Sequence, residues 1–290
     1  MKKLPLQLRR QITYRASLLF TLGWNLLSRA NPDPEDKLLH YNSILTGVEH
    51  NHGALILGAQ PLDTLLGERL DQGEKIIELC EKKKKPLALV ISLLTPDEMR
   101  GTNSSNIIPV TTQFWKGKGI THKLLPMSDF GVDLDLDELK KAIDEAHQIR
   151  LQNKSVYVHC KAGSSRSFVF SMCYLIQHKS LAPNQALKEI YRRRHQIYPT
   201  QAQLEFIEAY RARFRSDKPQ FDLSALNFNP LRNNIMLFLK NPILHGVLGA
   251  GLAYGASLFF GWVALSALSF AAIGGVAALA LSWTIQDIRY

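Results

Sequence analysis

The stretch that decides the fold is residues 156–167, Val-Tyr-Val-His-Cys-Lys-Ala-Gly-Ser-Ser-Arg-Ser. A strand-like apolar run ends at Cys160, Arg166 follows, and residues 167–177 are apolar almost throughout, as in a buried helix. The backbone N–H groups of residues 161–166 would point inward and form an anion-binding nest, and the helix N-terminus would add partial positive charge. The stretch therefore predicts an anion-binding loop.

The side chains of this loop predict phosphoryl chemistry. Cys160 would react as a thiolate, which the surrounding N–H groups favour. Gly163 lets the backbone curl towards a ligand, and the Arg166 guanidinium matches two phosphoryl oxygens. Ser167 would hydrogen-bond the sulfur as a leaving group, and His159 would orient the loop. The predicted phosphate-binding residues are Lys161, Ala162, Gly163, Ser164, Ser165 and Arg166. The alternative interpretation is a buried core cysteine followed by a surface arginine.

A general acid is expected in the segment Leu125–Asp133, which follows a strand-like run. The leaving oxygen needs a proton, and a positioned acid contributes roughly 10²–10⁴-fold to the rate. Asp129 is the predicted acid and Asp133 is the alternative. Asp135 and Asp137 are predicted to cap or begin the next helix. Nothing in this chemistry calls for a metal or a cofactor.

The composition indicates one packed domain with appendages, since the chain has 290 residues and a formal net charge of +10. Its three cysteines, Cys80, Cys160 and Cys173, argue against a disulfide framework and for a reducing compartment. Cys80 and Cys173 fall on apolar helical faces and are predicted core residues. A redox role for either is left open.

The N-terminal arm, residues 1–35, is basic. Its first 30 residues carry six Lys and Arg side chains and no acid, and they flank the apolar run Ala16–Leu27. That run is too short to span a bilayer. We interpret it as an interfacial amphipathic helix. The alternatives are a signal peptide and a helix that packs on the catalytic domain.

The C-terminal region predicts a transmembrane helical hairpin over residues 241–286, which contain no Asp, Glu, Lys or Arg. Gly251 and Gly255 would let two helices approach closely. Residues 216–240 are predicted to be a linker and juxtamembrane segment. Basic residues before the hairpin place the catalytic domain on the cytoplasmic face. A buried soluble hairpin is the alternative.

Between these ends, residues 36–215 predict an α/β fold with a mainly parallel central sheet flanked by helices. The predicted strands are Ala54–Gly58, Leu87–Leu93, Ile120–Leu125 and Ser155–His159. Helical patterns alternate with them, and Thr200 with Gln203 predicts a capping box at the start of the last helix. The basic runs 82–85 and 192–194 are predicted to be solvated helix ends, with lipid contact as the alternative.

Residues 155–167 carry the His-Cys-x5-Arg-Ser pattern and resemble the protein tyrosine phosphatase superfamily, of the dual-specificity type. Together with Leu55–Leu62, they are most similar to the mitochondrial protein-tyrosine-phosphatase-like lipid phosphatases and their bacterial relatives. The resemblance covers about residues 13–215. Asp129 precedes Cys160 by 31 residues, in agreement with the family's general acid. The family's glutamate-rich loop is only partly matched by Pro96–Arg100, so no role is assigned to Glu98.

The resemblance implies a phosphatase that converts phosphatidylglycerophosphate to phosphatidylglycerol. The expected partners are an anionic phospholipid substrate and a membrane, with no nucleic acid. In the phosphate loop, Ser164 stands where the family has a second basic residue, and Lys161 suits a more anionic headgroup. A phosphoinositide phosphatase and a dual-specificity protein phosphatase are the alternative enzymes. A catalytically dead adaptor and a membrane structural protein are the alternatives outside this class.

Overall fold

The computed structural model describes residues 41–45, 52–65, 68–100, 107–128, 131–194, 197 and 199–222. The chain divides into two units, Met1–Ala225 and Leu226–Tyr290, and every described residue belongs to the first unit. The predicted N-terminal arm and the predicted hairpin lie outside these residues. Among the helices that are described, none is both long and apolar enough to cross a bilayer.

The described chain begins with four strands, continues with alternating helices and strands, and ends with three successive helices. In chain order they are β1 (Tyr41–Leu45), β2 (Leu55–Gly58), β3 (Leu62–Leu65), β4 (Glu68–Arg69), α1 (Gln72–Lys82), β5 (Leu87–Ser92), α2 (Pro96–Arg100), β6 (Ile107–Pro109), α3 (Thr112–Gly117), β7 (Thr121–Leu124), α4 (Leu136–Leu151), β8 (Ser155–His159), α5 (Arg166–His178), α6 (Pro183–Arg193) and α7 (Gln201–Phe214).

The central sheet has five strands in the order β1-β2-β8-β5-β7. Strands β2, β8, β5 and β7 are parallel, and they correspond to the four predicted strands. Strand β1 adds an antiparallel edge, so the sheet is mixed and the mainly parallel prediction is correct in part. Strand β1 was not predicted, because Asn42 and Ser43 interrupt its apolar pattern.

A second sheet of three short strands, in the order β4-β3-β6, was not predicted either. Strand β3 reads Leu-Asp-Thr-Leu and β4 is a Glu-Arg pair, so neither shows the apolar run that indicates a strand. Strand β4 pairs with β3, its neighbour in the sequence, but β3 also pairs with β6 across α1, β5 and α2.

Strand β8 and helix α5 lie at the centre of the domain core. All five residues of β8 are buried, and so are residues 166–176 of α5, as the continuous apolar pattern predicts. Helix α4 begins as predicted, because the Asp135 carboxylate accepts hydrogen bonds from the N–H groups of Asp137 and Glu138. The loop between β8 and α5 therefore starts and ends on rigid, buried elements.

Candidate active site

The loop from Cys160 to Ser165 curls around the cysteine sulfur. The Gly163 N–H donates to Cys160 Sγ at 3.2 Å, and Ser167 Oγ lies 3.3 Å from the same sulfur. Cys160 is 2% exposed, and Ser167 is fully buried. The structure thus brings the predicted nucleophile and the predicted leaving-group donor into direct contact at the N-terminus of α5.

The electrostatics of the loop favour the thiolate. Burial by itself would raise the pKa of Cys160. The positive charge of Arg166 and hydrogen bonds from Ser167 and the loop backbone outweigh that effect, and the pKa is lowered. Burial raises the pKa of Cys80 to about 11, and it also raises the pKa of Cys173. Of the three cysteines, only Cys160 is therefore activated as a nucleophile.

Gly163 is required by the shape of the loop. Its φ of +67° lies in the left-handed region, which side chains disfavour. A Cβ at this position would lie 2.4 Å from the carbonyl carbon and oxygen of Gly58 and 2.7 Å from Ala59 N. The loop can thus pack against the end of β2 only if residue 163 has no side chain.

Glu98, to which the sequence analysis assigned no role, binds both cations of the loop. Arg166 Nη1 donates to Glu98 Oε2 at 2.6 Å, and Nη2 donates to Oε1 at 3.1 Å. Lys161 Nζ lies 3.3 Å from Oε1. All three side chains are buried or nearly so. Burial opposes ionisation of Glu98, but its hydrogen bonds and charge pairing with Arg166 and Lys161 hold its pKa below the usual range.

The segment that carries the predicted acid is fastened to the same arginine. Arg166 Nη1 donates to the Met127 carbonyl at 3.0 Å. The Asp133 carboxylate accepts from Ser128 N at 2.8 Å and from Ser128 Oγ at 2.5 Å, and these bonds lower its pKa. Asp133 is therefore held as a carboxylate, which suits it to fixing the segment rather than to donating a proton. Asp129 lies outside the described residues.

Arg194 contradicts the prediction that residues 192–194 are a solvated helix end. Arg192 is exposed and pairs with Glu189, but Arg194 is 2% exposed. Its Nε donates to the Gly163 carbonyl at 2.6 Å, and its Nη2 donates to the Ala162 carbonyl at 3.2 Å. Burial lowers its pKa to about 10, so it remains a cation at neutral pH. Arg194 supports the phosphate loop from behind.

Gln203 is a second support that the sequence did not reveal. It forms the predicted capping box of α7 with Thr200. The same side-chain oxygen, Gln203 Oε1, also accepts a hydrogen bond from Ser165 Oγ at 2.7 Å. The Gln203 side chain thus caps α7 and also contacts the phosphate loop.

Among the described residues, no group of three or more His, Cys, Asp or Glu side chains could hold a metal ion.

Comparison with known proteins agrees with this geometry. The family described as "Dual specificity phosphatase, catalytic domain" matches residues 70–213. That match takes in Cys160, Arg166, Ser167 and Glu98 in one continuous region. Residues 70–213 are a dual-specificity phosphatase catalytic domain. Its catalytic unit is of the cysteine-dependent type that hydrolyses phosphomonoesters.

Two curated relatives of this phosphatase bear lipid phosphatase names. "Phosphatidylglycerophosphatase and protein-tyrosine phosphatase 1" of Homo sapiens is 31% identical over 132 residues, covering 43% of this chain and 66% of that one. "Phosphatidylglycerophosphate phosphatase PTPMT1" of Arabidopsis thaliana is 29% identical over 101 residues, covering 35% and 30%. The chain thus spans between about a third and two thirds of the length of these relatives.

Among solved structures, "Crystal Structure of PTPMT1 in complex with PI(5)P" matches this phosphatase with a TM-score of 0.48 and 26% identity. The match covers 61% of this chain and 97% of that one.

The residues that sequence reasoning missed are those that act on the loop from other elements. Glu98 sits on α2, and Arg194 follows α6. Each lies more than 25 residues from the loop residues that it contacts. A glutamate in a short polar helix and an arginine in a basic run are typical of solvated surface, so only the tertiary structure reveals their contacts.

Proposed function

We propose that this chain hydrolyses a lipid phosphomonoester at a membrane, converting phosphatidylglycerophosphate to phosphatidylglycerol and inorganic phosphate. The chemistry rests on the contacts of Cys160 Sγ, which receives hydrogen bonds from the loop while Arg166 lowers its pKa. The choice of lipid rests on the two relatives whose names specify phosphatidylglycerophosphate.

The first step is binding of the phosphoryl group in the loop 160–166. Backbone N–H groups and Arg166 would hold the three equatorial oxygens. The Glu98 carboxylate binds the Nη1–Nη2 edge of the Arg166 guanidinium. The phosphoryl group would therefore meet the side edge of the guanidinium, formed by Nε and Nη2. This edge can also bind two oxygens at once.

In the second step, the Cys160 thiolate attacks phosphorus in line. A sulfur–phosphorus bond forms, the bond from phosphorus to the glycerol oxygen breaks, and Asp129 donates a proton to that oxygen. Ser128 and Met127 are anchored to Asp133 and Arg166, so the residues before Asp129 are tied to the group that binds the phosphate. This link would align the acid with the leaving group.

In the third step, water attacks the phosphocysteine. Asp129, now a carboxylate, accepts a proton from the water, the sulfur–phosphorus bond breaks, and inorganic phosphate leaves. Ser167 Oγ would donate to the departing sulfur and stabilise it as the thiolate. The cycle returns every group to its starting state without a metal or a cofactor.

A phosphoinositide is the second candidate substrate, because Lys161 brings a further cation to the loop. Its Nζ is paired with Glu98, so the site carries one net positive charge from the three side chains rather than two. This neutralisation favours a phosphomonoester with few additional charges. It is one reason to prefer phosphatidylglycerophosphate to a polyphosphorylated inositol lipid.

The enzymatic activity is tested with the full chain and Cys160→Ser on a small aryl phosphate in the presence of a chelator. We expect turnover by the wild type and none by the variant. A wild type without turnover would refute the enzyme, and turnover lost on chelation would refute the metal-free mechanism. The lipid is then tested with a panel of phospholipid monophosphates by measuring released phosphate. Preference for a phosphoinositide would overturn the proposed substrate.

The acid is tested by comparing Asp129→Asn with Asp133→Asn. We expect Asp129→Asn to lower kcat roughly 10²–10⁴-fold, because the leaving oxygen loses its proton donor. Asp133→Asn should cost less, because Asp133 acts only through its hydrogen bonds to Ser128. The opposite order would assign the acid to Asp133.

A further inference from the structure

A line of hydrogen bonds runs from the surface to the peptide of the nucleophile. Ser92 Oγ lies between two histidines, 2.7 Å from His122 Nε2 and 2.6 Å from His159 Nε2. At one end, His122 Nδ1 lies 2.8 Å from Thr112 Oγ1. At the other end, His159 Nδ1 lies 3.3 Å from the carbonyl oxygen of Cys160. The line runs from His122 within β7 to the carboxyl ends of β5 and β8.

The direction of each bond follows from the group that can only accept. The Cys160 carbonyl has no proton, so His159 Nδ1 must donate to it. A neutral His159 then presents an acceptor at Nε2, and the Ser92 hydroxyl donates there. Ser92 Oγ is left to accept from His122 Nε2–H. His122 Nδ1 in turn accepts from the Thr112 hydroxyl.

Both imidazoles are neutral, as this assignment requires. His159 is fully enclosed, and burial, with a smaller contribution from His122, lowers its pKa to about 3. Burial lowers the pKa of His122 to about 4. The positive charge of Arg166 acts on His159 in the same direction. Near neutral pH each ring thus carries a single N–H, and its position is set by the neighbours.

We propose that Ser92 and His122 are positioning residues that lock the tautomer of His159, and that this tautomer holds the Cys160 peptide in the orientation that the thiolate needs. This inference rests on the proposed function, in which Cys160 is the nucleophile. With the proton on Nε2 instead, the Nδ1 lone pair of His159 would face the Cys160 carbonyl. The repulsion would turn this peptide and disturb the N–H groups that follow it around the sulfur.

The tautomers can be read directly by long-range proton–nitrogen NMR of the histidine rings in the ¹⁵N-labelled full chain near neutral pH. His159→Gln and His122→Gln assign the signals. We expect His159 to carry its proton on Nδ1 and His122 to carry it on Nε2. A His159 ring protonated on Nε2, or on both nitrogens, overturns the proposal.

The effect on the nucleophile is measured by the pH dependence of Cys160 alkylation with iodoacetamide, which reports the thiolate. Ser92→Ala should raise the pKa of Cys160 by about one unit, the equivalent of one hydrogen bond. Ser155→Ala is the matched control. Like Ser92, Ser155 is buried on a central strand, and its hydroxyl donates to the backbone carbonyl of Lys85. It lies at the end of β8 opposite to His159. Equal shifts in the two variants, or no shift in Ser92→Ala, contradict the proposal.

A second pair of variants keeps Ser92 in place. His122→Leu removes the donor to Ser92, whereas His122→Gln keeps an N–H at nearly the same distance along the side chain. We expect the pKa of Cys160 to rise in His122→Leu and to return towards the wild-type value in His122→Gln. A merely structural role would show no such rescue. Neither the NMR measurement nor the alkylation measurement needs turnover. Both would therefore test the positioning of the His159 tautomer even if the chain had no phosphatase activity.

Discussion

At the scale of single residues, Glu98 decides whether two cations can share the phosphate loop. Arg166 and Lys161 both direct their charge at its carboxylate within 3.3 Å. Without it, two like charges would lie together in a buried site, where repulsion is poorly screened. Glu98 therefore acts on binding through the cations rather than by touching the substrate.

Glu98→Gln should weaken both the fold and the activity. Removing one partner of a buried ion pair costs about 3–5 kcal/mol, because the remaining charge is left uncompensated. We expect the free energy of unfolding in urea to fall by about 3 kcal/mol at pH 7, and kcat/KM on an aryl phosphate to fall with it. A variant as stable as the wild type would show that Glu98 only fills space.

The same variant carries a pH signature. The pKa of Glu98 is lower in the folded chain than in the unfolded chain. Its stabilisation is therefore complete above about pH 4.3, the unfolded value, and is lost as the pH falls through the lower folded pKa. The difference in unfolding free energy between wild type and Glu98→Gln should be large at neutral pH and should shrink in acid. A constant difference would contradict the charge pairing.

Gly163 allows a matched comparison with Gly119, since both adopt a left-handed φ of about +70°. Gly119→Ala should cost only the conformational strain, about 1–2 kcal/mol, because a Cβ there meets nothing within 4 Å. Gly163→Ala adds a collision with the backbone of Gly58, so the loop must open. We expect Gly163→Ala alone to lose aryl phosphatase activity, measured beside thermal unfolding of both variants. Equal loss in both would point to strain rather than to collision.

At the scale of elements, the phosphate loop is held from the side opposite the substrate. Arg194, just after α6, donates to two loop carbonyls and to Asn42 on β1. The carbonyls of residues 162 and 163 thus face Arg194, while the Gly163 N–H faces the Cys160 sulfur. The end of α6, the phosphate loop and the edge strand of the sheet are coupled through one guanidinium.

Arg194→Met should therefore disable the loop, whereas Arg192→Met serves as the control two residues away. We expect Arg194→Met to lower kcat/KM and to lower the midpoint of urea unfolding, because two buried carbonyls lose their charged donor. Arg192 is exposed, so its replacement should change stability by no more than about 0.5 kcal/mol. Similar losses in both variants would argue against a support role for Arg194.

At the scale of the whole molecule, catalysis and membrane attachment are predicted to separate at the boundary between the two units. A chain ending at Ala225 keeps every described residue of the site. We expect it to keep its turnover of an aryl phosphate and to stay in the supernatant when it is spun with phospholipid vesicles, while the full chain sediments. Sedimentation of the shortened chain would show that the predicted hairpin is not the main attachment.

The strands β2, β5, β7 and β8 could be predicted because each is a short apolar run, and buried parallel strands have that pattern. Strands β1, β3, β4 and β6 could not. Polar residues hide the pattern in β1, β3 and β4, and β6 has only three residues. The caps of α4 and α7 were predicted from Asp135 and Thr200, since capping depends only on residues two or three apart.

The phosphate loop could be predicted from the sequence alone, because Cys160, Gly163, Arg166 and Ser167 lie within eight residues and their chemistry depends on local backbone geometry. The surroundings of that loop became known only from the fold. Glu98 and Arg194 contact it from separate elements, and Ser92 and His122 are connected to it through His159. A side chain that acts across the fold leaves no pattern along the chain. Burial then gives these contacts their strength, since charges and hydrogen bonds removed from water act with little screening.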